Sequence, residues 1–289
     1  MEHTKEHCGW VAIIGRPNVG KSTLFNALLG SSVSIVTRKA QTTQSRIMGV
    51  VTTPPYQYIV LDTPGVQQRL KRRRFAQLNK VAKQAAYEAD AAVFMVEGLK
   101  WREDDAVALE TLASFEGPCI AVVNKYDRFV KDKEKTLAYV HALQEKYPFE
   151  KIILASCTKG VHIELVHEAI CEAMPAGAFA FPAEAVTEHS EDFILAEILR
   201  SKLLLHLHDE IPYQCQTEIE MRQDKGKHWL VHANIWVPTG AKKAVVIGKG
   251  GSKLQQIGQQ ARMAMGAYLK KEVVLKTWVK VGVLDDNAL

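Results

Sequence analysis

The chain has no apolar run approaching the ~20 residues a membrane-spanning helix needs, and it has no Cys-x-x-Cys pair. Its five cysteines, Cys8, Cys119, Cys157, Cys171 and Cys215, are scattered and odd in number. An odd, scattered set suits free thiols in a reducing compartment. No internal repeat or low-complexity tract is present, which removes repeat architectures. The first apolar stretch follows charged residues and passes straight into Gly15-Arg16-Pro17, so it reads as neither a signal peptide nor an anchor. A strong bulk charge is also missing, the formal net charge being +5 over 289 residues. These absences point to a cytoplasmic protein.

Hydrophobic residues make up 47% and charged residues 24%, a globular balance, and the length allows about two domains. The distribution of charge says more than its sum. Between positions 240 and 280 nine Lys and Arg residues stand against a single acid, Glu272. Such a stretch suits either a solvated face or a polyanion-binding surface.

Through the first 170 residues, short apolar runs at 10–15, 58–61, 91–97, 119–124 and 151–155 alternate with helical patterns at 21–29, 76–88, 104–114, 133–146 and 160–173. The runs are almost continuously apolar, as expected of parallel strands covered on both faces. The alternation predicts a doubly wound, mostly parallel α/β sheet over 1–174. Two prolines and no period mark a linker, placed at 175–184. The remainder, 185–289, reads as an α+β domain. It has a helix at 192–206, strands at 217–222 and 228–236, a basic glycine loop, a helix at 252–270 and a strand at 273–283. Leu254, Ile257, Ala261, Met265 and Leu269 form an i, i+3, i+4 stripe on that last helix.

Gly15-Arg16-Pro17-Asn18-Val19-Gly20-Lys21-Ser22, followed by Thr23, satisfies GxxxxGK[ST] between a predicted strand and a predicted helix. Its backbone N–H groups can face phosphate oxygens, Lys21 can reach the β- and γ-phosphates, and the Ser22 hydroxyl can bind Mg²⁺. Asp62-Thr63-Pro64-Gly65 ends another apolar run. Asp62 there can hold Mg²⁺ through water and Gly65 can offer its N–H to the γ-phosphate. Asn124-Lys125-Tyr126-Asp127 is the NKxD arrangement that reads guanine. The Asp127 carboxylate can accept from the N1 and N2 donors of that base, a pair adenine lacks. Ser156-Cys157, after the next run, can complete the base pocket through backbone N–H groups. The expected cofactors are therefore GTP/GDP and Mg²⁺.

In the tail, Val245-Val246-Ile247-Gly248-Lys249-Gly250-Gly251-Ser252-Lys253-Leu254 has the VIGxxGxxI form of a KH domain. Side-chain-free glycines let a single-stranded backbone approach, Lys249 and Lys253 add charge, and Ile247, Leu254, Ile257 and the neighbouring strand are expected to line the base groove. A second anion turn would be the other reading of GKGG, but it lacks the Lys-[ST] ending.

The chain resembles the Era family of GTPases nearly throughout. The resemblance rests on GRPNVGKST (15–23), KAQTTQSRIMG (39–49), DTPG (62–65), NKYD (124–127) and the KH tail, with Ile211-Pro212-Tyr213 and Glu218-Ile219-Glu220. It implies a P-loop GTPase domain joined to a type II KH domain, with element order helix–strand–strand–helix–loop–helix–strand in the tail. It also implies a Mg²⁺-binding switch threonine, Thr43 or its neighbour Thr42. The implied partners are small-subunit ribosomal RNA near its 3′ end and 30S-type precursors, in small-subunit assembly, with peripheral association at the cytoplasmic membrane. K⁺ held partly by Asn18 is implied too, which leaves Asn18, Thr43 and Gly65 as candidates for the catalytic device. Gln44, Cys157 and Val237-Pro238-Thr239 depart from the family pattern. Val66 stands where Ras-like enzymes place a water-orienting glutamine, so intrinsic hydrolysis is expected to be slow; Gln67 and Gln68 have the wrong spacing to replace it. The basic run Lys71-Arg72-Arg73-Arg74 reads as a solvated face or an RNA or phosphate contact.

Two other classes compete. A constitutive RNA-binding scaffold with a vestigial nucleotide site is opposed by intact Lys21, Ser22, Asp62 and Asp127. A related GTPase of tRNA modification or membrane transport is opposed by the basic GKGG tail and the lack of a long apolar span.

Overall fold

The computed structural model describes residues 5–31, 33–34, 46–67 and 73–282. The described chain forms two compact units, divided between Glu188 and His189.

Among the described residues the first unit is built on six strands: β1 (His7–Ile14), β2 (Ile47–Thr53), β3 (Tyr56–Asp62), β4 (Ala91–Glu97), β5 (Cys119–Asn124) and β6 (Lys151–Leu154). Their order is β2-β3-β1-β4-β5-β6, with β2 and β6 at the two ends. All neighbours run parallel except β2, which returns antiparallel to β3. Strands β4 and β5 are fully buried but for the last residue of β4, which is why they read as unbroken apolar runs. The described helices that accompany them are α1 (Lys21–Leu29), α2 (Arg73–Glu88), α3 (Glu103–Glu110), α4 (Lys133–Gln144) and α5 (Ile163–Glu172). Gly30, left-handed at φ 64°, stops α1.

Strand β2 went unread in the sequence because Gly49 interrupts its pattern. The glycine has a packing reason: a Cβ there would lie 2.5 Å from Leu29 Cδ2 and 2.8 Å from Phe25 Cζ, so its absence lets α1 approach the strand.

The proline-containing stretch expected to be a linker belongs to the first unit and is bonded along it. Cys8 N–H donates to Pro175 O (3.0 Å) and Gly177 N–H to Glu6 O (3.0 Å). The Gln57 side chain makes both bonds of a backbone amide with Phe181, accepting from its N–H and donating to its C=O at 2.9 Å each. Further on, Val50 N–H donates to Val186 O (2.8 Å) and the Thr187 hydroxyl to Met48 O (2.7 Å).

The second unit contains α6 (Glu191–His206), β7 (Gln216–Asp224), β8 (His228–Val237), α7 (Gly240–Ile247), α8 (Ser252–Leu269) and β9 (Glu272–Val281). The order helix–strand–strand–helix–loop–helix–strand is the one expected. Strand β7 pairs antiparallel and β9 parallel with the central β8. Ser190 caps α6 by accepting from Phe193 N–H at 3.1 Å, with Glu191 and Asp192 in the first turn where the helix dipole favours them. Val231, Ala233, Ile235 and Val237 alternate into a core shared with Leu195, Leu199 and Leu203 of α6 and Ile257, Ala261 and Met265 of α8. No described helix is long and apolar enough to cross a membrane.

Candidate functional site

The phosphate loop turns from β1 into α1. Asn18 sits at φ 65°, a left-handed conformation asparagine tolerates better than most residues. Gly20 sits at φ 113°, and a Cβ there would fall 2.1 Å from Asn124 Nδ2, so only glycine fits. Lys21, 7% exposed, donates to the carbonyls of Gly15 and Arg16 at 3.0 Å each. Burial pulls its pKa down from 10.5 to about 8; Asp62 opposes this and Arg16 adds to it. Val19 is fully buried and its carbonyl accepts from Asn124 Nδ2 at 2.7 Å.

Asp62, at the end of β3, is buried and accepts the hydroxyl of Ser22 at 2.6 Å and of Ser34 at 2.7 Å. Ser34 escaped the sequence reading. It is held there by Asn26 of α1, whose Oδ1 accepts from the N–H groups of Val33 (3.0 Å) and Ser34 (2.9 Å) and whose Nδ2 donates to Ser34 O (2.8 Å). Converging hydroxyl and carboxylate oxygens are the donor type a hard cation such as Mg²⁺ takes, so the residues fit that ion. Thr42, Thr43, Gln44 and Gln68 lie outside the described residues.

Beyond Asp62, the Thr63 hydroxyl donates to Ile13 O (2.6 Å) and Val66 N–H to Gly15 O (3.2 Å), so the DTPG turn is sewn to β1. Pro64 is buried with them. A Cβ on Gly65 would fall 2.7 Å from Pro17 N and Cα, which accounts for that glycine. Val66 is 1% exposed and packs in the first core, away from any water. The Asn79 side chain of α2 brackets Gln67, accepting from its N–H (3.3 Å) and donating to its C=O (3.0 Å). Of the basic run, Lys71 and Arg72 lie outside the described residues and Arg73 opens α2.

The base loop follows β5. Asn124 Oδ1 accepts from the N–H groups of Lys125 (2.7 Å) and Cys157 (3.1 Å), while its amide nitrogen holds Val19 O. One side chain thus joins three loops. Lys125, at φ 67°, reaches Asn18 O at 3.4 Å and Glu97 Oε1 at 2.5 Å. Asp127 accepts the Ser156 hydroxyl at 2.5 Å, a contact beyond the backbone role expected of Ser156. Burial pushes the Cys157 thiol up to about 12, so it stays protonated and inert.

In the second unit, Gly248, Gly250 and Gly251 all lie at positive φ (74°, 58° and 80°) between α7 and α8. No side chain rises from this turn except Lys249, which is exposed. A groove of about 640 Å³ runs beside it, lined by Gly251, Leu254, Gln255, Gly258, Gln259, Arg262, Leu275 and Thr277. The expected groove residue Ile257 is a correction: it is fully buried in the core, one residue round the helix from the open face. Ile247 is packed partly against the same core and Lys253 sits in the first turn of α8.

A 50S ribosome-binding GTPase model matches residues 10–125 and a KH domain model matches 210–283. GTPase Era of Glaesserella parasuis serovar 5 (strain SH0165) is 39% identical over 290 residues, covering 99% of this chain and 96% of that protein. The chain belongs to the Era family of GTPases. GTPase Era of Coxiella burnetii (strain Dugway 5J108-111) is 41% identical over 286 residues, covering 98% of this chain and 96% of its own length. An Era crystal structure in complex with MgGDPNP and nucleotides 1506-1542 of 16S ribosomal RNA matches with a TM-score of 0.85 at 33% identity, covering 96% of this chain and 94% of that one. An Aquifex aeolicus Era variant bound to GDP.AlF4- matches equally well, with the same TM-score of 0.85. As an Era GTPase, the protein hydrolyses GTP through its P-loop domain and carries a KH domain after it.

Proposed function

We propose that this GTPase uses its nucleotide cycle to time the binding of single-stranded RNA, near the 3′ end of small-subunit ribosomal RNA, during small-subunit assembly. Lys21 and the loop N–H groups of 15–23 hold phosphates, and Asp127 takes the guanine donors with Ser156 and Cys157 closing the pocket. Ser22, Thr43 and, through water, Asp62 would hold Mg²⁺, which would supply charge neutralisation at the phosphates. Burial of Val66 leaves no glutamine to orient water, so intrinsic turnover is slow and a K⁺ ion held partly by Asn18 is assigned to offset the developing charge. For a membrane face we infer peripheral association only, in keeping with described helices that are none of them long and apolar enough to cross one.

The observation that carries the RNA half is the Gly248–Gly251 turn, with three positive-φ glycines and an exposed Lys249 opening onto a groove. That the related Era structure holds a 16S ribosomal RNA segment supports the same reading. The test is the double substitution Gly250→Asp with Gly251→Asp. Nothing lies within 4 Å of a Cβ at either position, and at these positive φ values aspartate is strained less than most residues; two carboxylates then face the incoming phosphates. Binding of a labelled single strand of the ribosomal 3′ sequence should be lost while GDP affinity stays at the parental value. Undiminished RNA binding would move the RNA site elsewhere.

A further inference from the structure

The nucleotide loops are not held together by Asn124 alone. Strand β4 lies between β1 and β5, so its last residue, Glu97, stands between the phosphate loop that follows β1 and the base loop that follows β5. Its two carboxylate oxygens are divided between them. Oε2 accepts from Arg16 Nη2 at 3.0 Å and Oε1 from Lys125 Nζ at 2.5 Å, with Arg128 Nη1 at 3.8 Å. Arg16 is 6% exposed and has a second anchor, Asp105 of α3, whose Oδ1 lies 3.0 Å from Arg16 Nε. Asp105 is itself fixed by accepting from Arg102 N–H at 2.9 Å. Lys125 has no second acid among the described residues; its other contact is the neutral carbonyl of Asn18, at 3.4 Å.

We propose that Glu97 is a positioning residue for nucleotide retention, holding the base-loop Lys125 in place against the phosphate loop through Arg16. The inference rests on the reading that residues 15–23 and 124–127 enclose the nucleotide. The asymmetry of anchors decides what Glu97 does beyond neutralising Arg16. When its charge is removed, Arg16 keeps Asp105, while Lys125 loses the acid that fixes its stem. The stem then samples rotamers that a long, flexible lysine otherwise has available, and the base loop is no longer tied to the phosphate loop through Arg16. Burial pushes the Glu97 carboxyl up, but hydrogen bonds from Lys125 and Arg16 outweigh it and leave the group below the usual carboxylate range, ionised at neutral pH.

The test is release of a fluorescent GDP analogue from the full chain, chased with excess GDP, for Glu97→Gln and, as the comparison, Asp105→Asn. Both changes remove one negative charge from Arg16, and circular dichroism verifies that each variant is folded. Glu97→Gln should speed release about tenfold, the effect expected from one lost charge-assisted hydrogen bond. It should raise KM for GTP with kcat within about twofold. Asp105→Asn should leave release near the parental rate. On a Lys125→Met background, Glu97→Gln should add little, because the two residues act as one unit. Parental release from Glu97→Gln, equal acceleration by Asp105→Asn, or a full Glu97 effect without Lys125 would each overturn the inference. A parent chain that retains no GDP would instead overturn the nucleotide reading beneath it.

Discussion

Lys21 shows how one side chain couples folding to ligand chemistry. Burial lowers its pKa from 10.5 to about 8, so the sign of the linkage is fixed. Between about pH 8 and 10.5 the unfolded chain holds a proton that the folded chain has released, and the contribution to stability rises with pH across that window. Below it both states are protonated and the cost of a buried ammonium is fully present. A phosphate beside Lys21 restores the charged form. GDP binding should therefore take up close to one proton at about pH 9 and little at about pH 7. Calorimetry in two buffers of different ionisation enthalpy measures this directly. Equal uptake at both pH values, or uptake undiminished in Lys21→Met, would refute the assignment. None of this was legible in the motif, which names the lysine but not its burial.

At the scale of elements, what could be read and what could not divide along a physical line. Helix α1 and strands β4 and β5 were bounded to the residue, because each is either amphipathic next to a motif or apolar throughout. The backbone of the nucleotide site was equally legible, since GxxxxGK[ST] and NKxD fix local turns. The parts that escaped are convergences of side chains from separate elements: Asn26 and Ser34 onto Asp62, Glu97 between two loops, Asn79 around Gln67. No period in the chain encodes such meetings. The misplacement of Ile257 has a smaller cause, a helical stripe that locates the core face but not where its edge becomes a groove. Asn18, left-handed at φ 65°, should support K⁺ use, so turnover in KCl should exceed that in NaCl at equal ionic strength. Asn18→Ala should erase the difference; equal rates for the parent in both salts would end the idea.

The described residues form two hydrophobic cores on one chain, with the phosphate and base loops on the first and a glycine turn beside a groove on the second. The stretch before the division at Glu188 reads as a connector but is built as part of the first unit. Its bonds to Met48 and Val50 fall on β2, one of the two end strands of the six. An uncovered outer strand offers unpaired N–H and C=O groups to any other strand it meets, and natural sheets protect such rims. The consequence concerns how the GTPase half behaves when separated from its partner module. A fragment ending at residue 174 leaves the rim of β2 bare and the Gln57 amide without Phe181, whereas one ending at 188 keeps both satisfied. The longer fragment should remain monomeric in sedimentation at concentrations where the shorter one forms strand-paired oligomers, and should melt at a higher temperature. Identical sedimentation and melting for the two would mean that the rim needs no such cover.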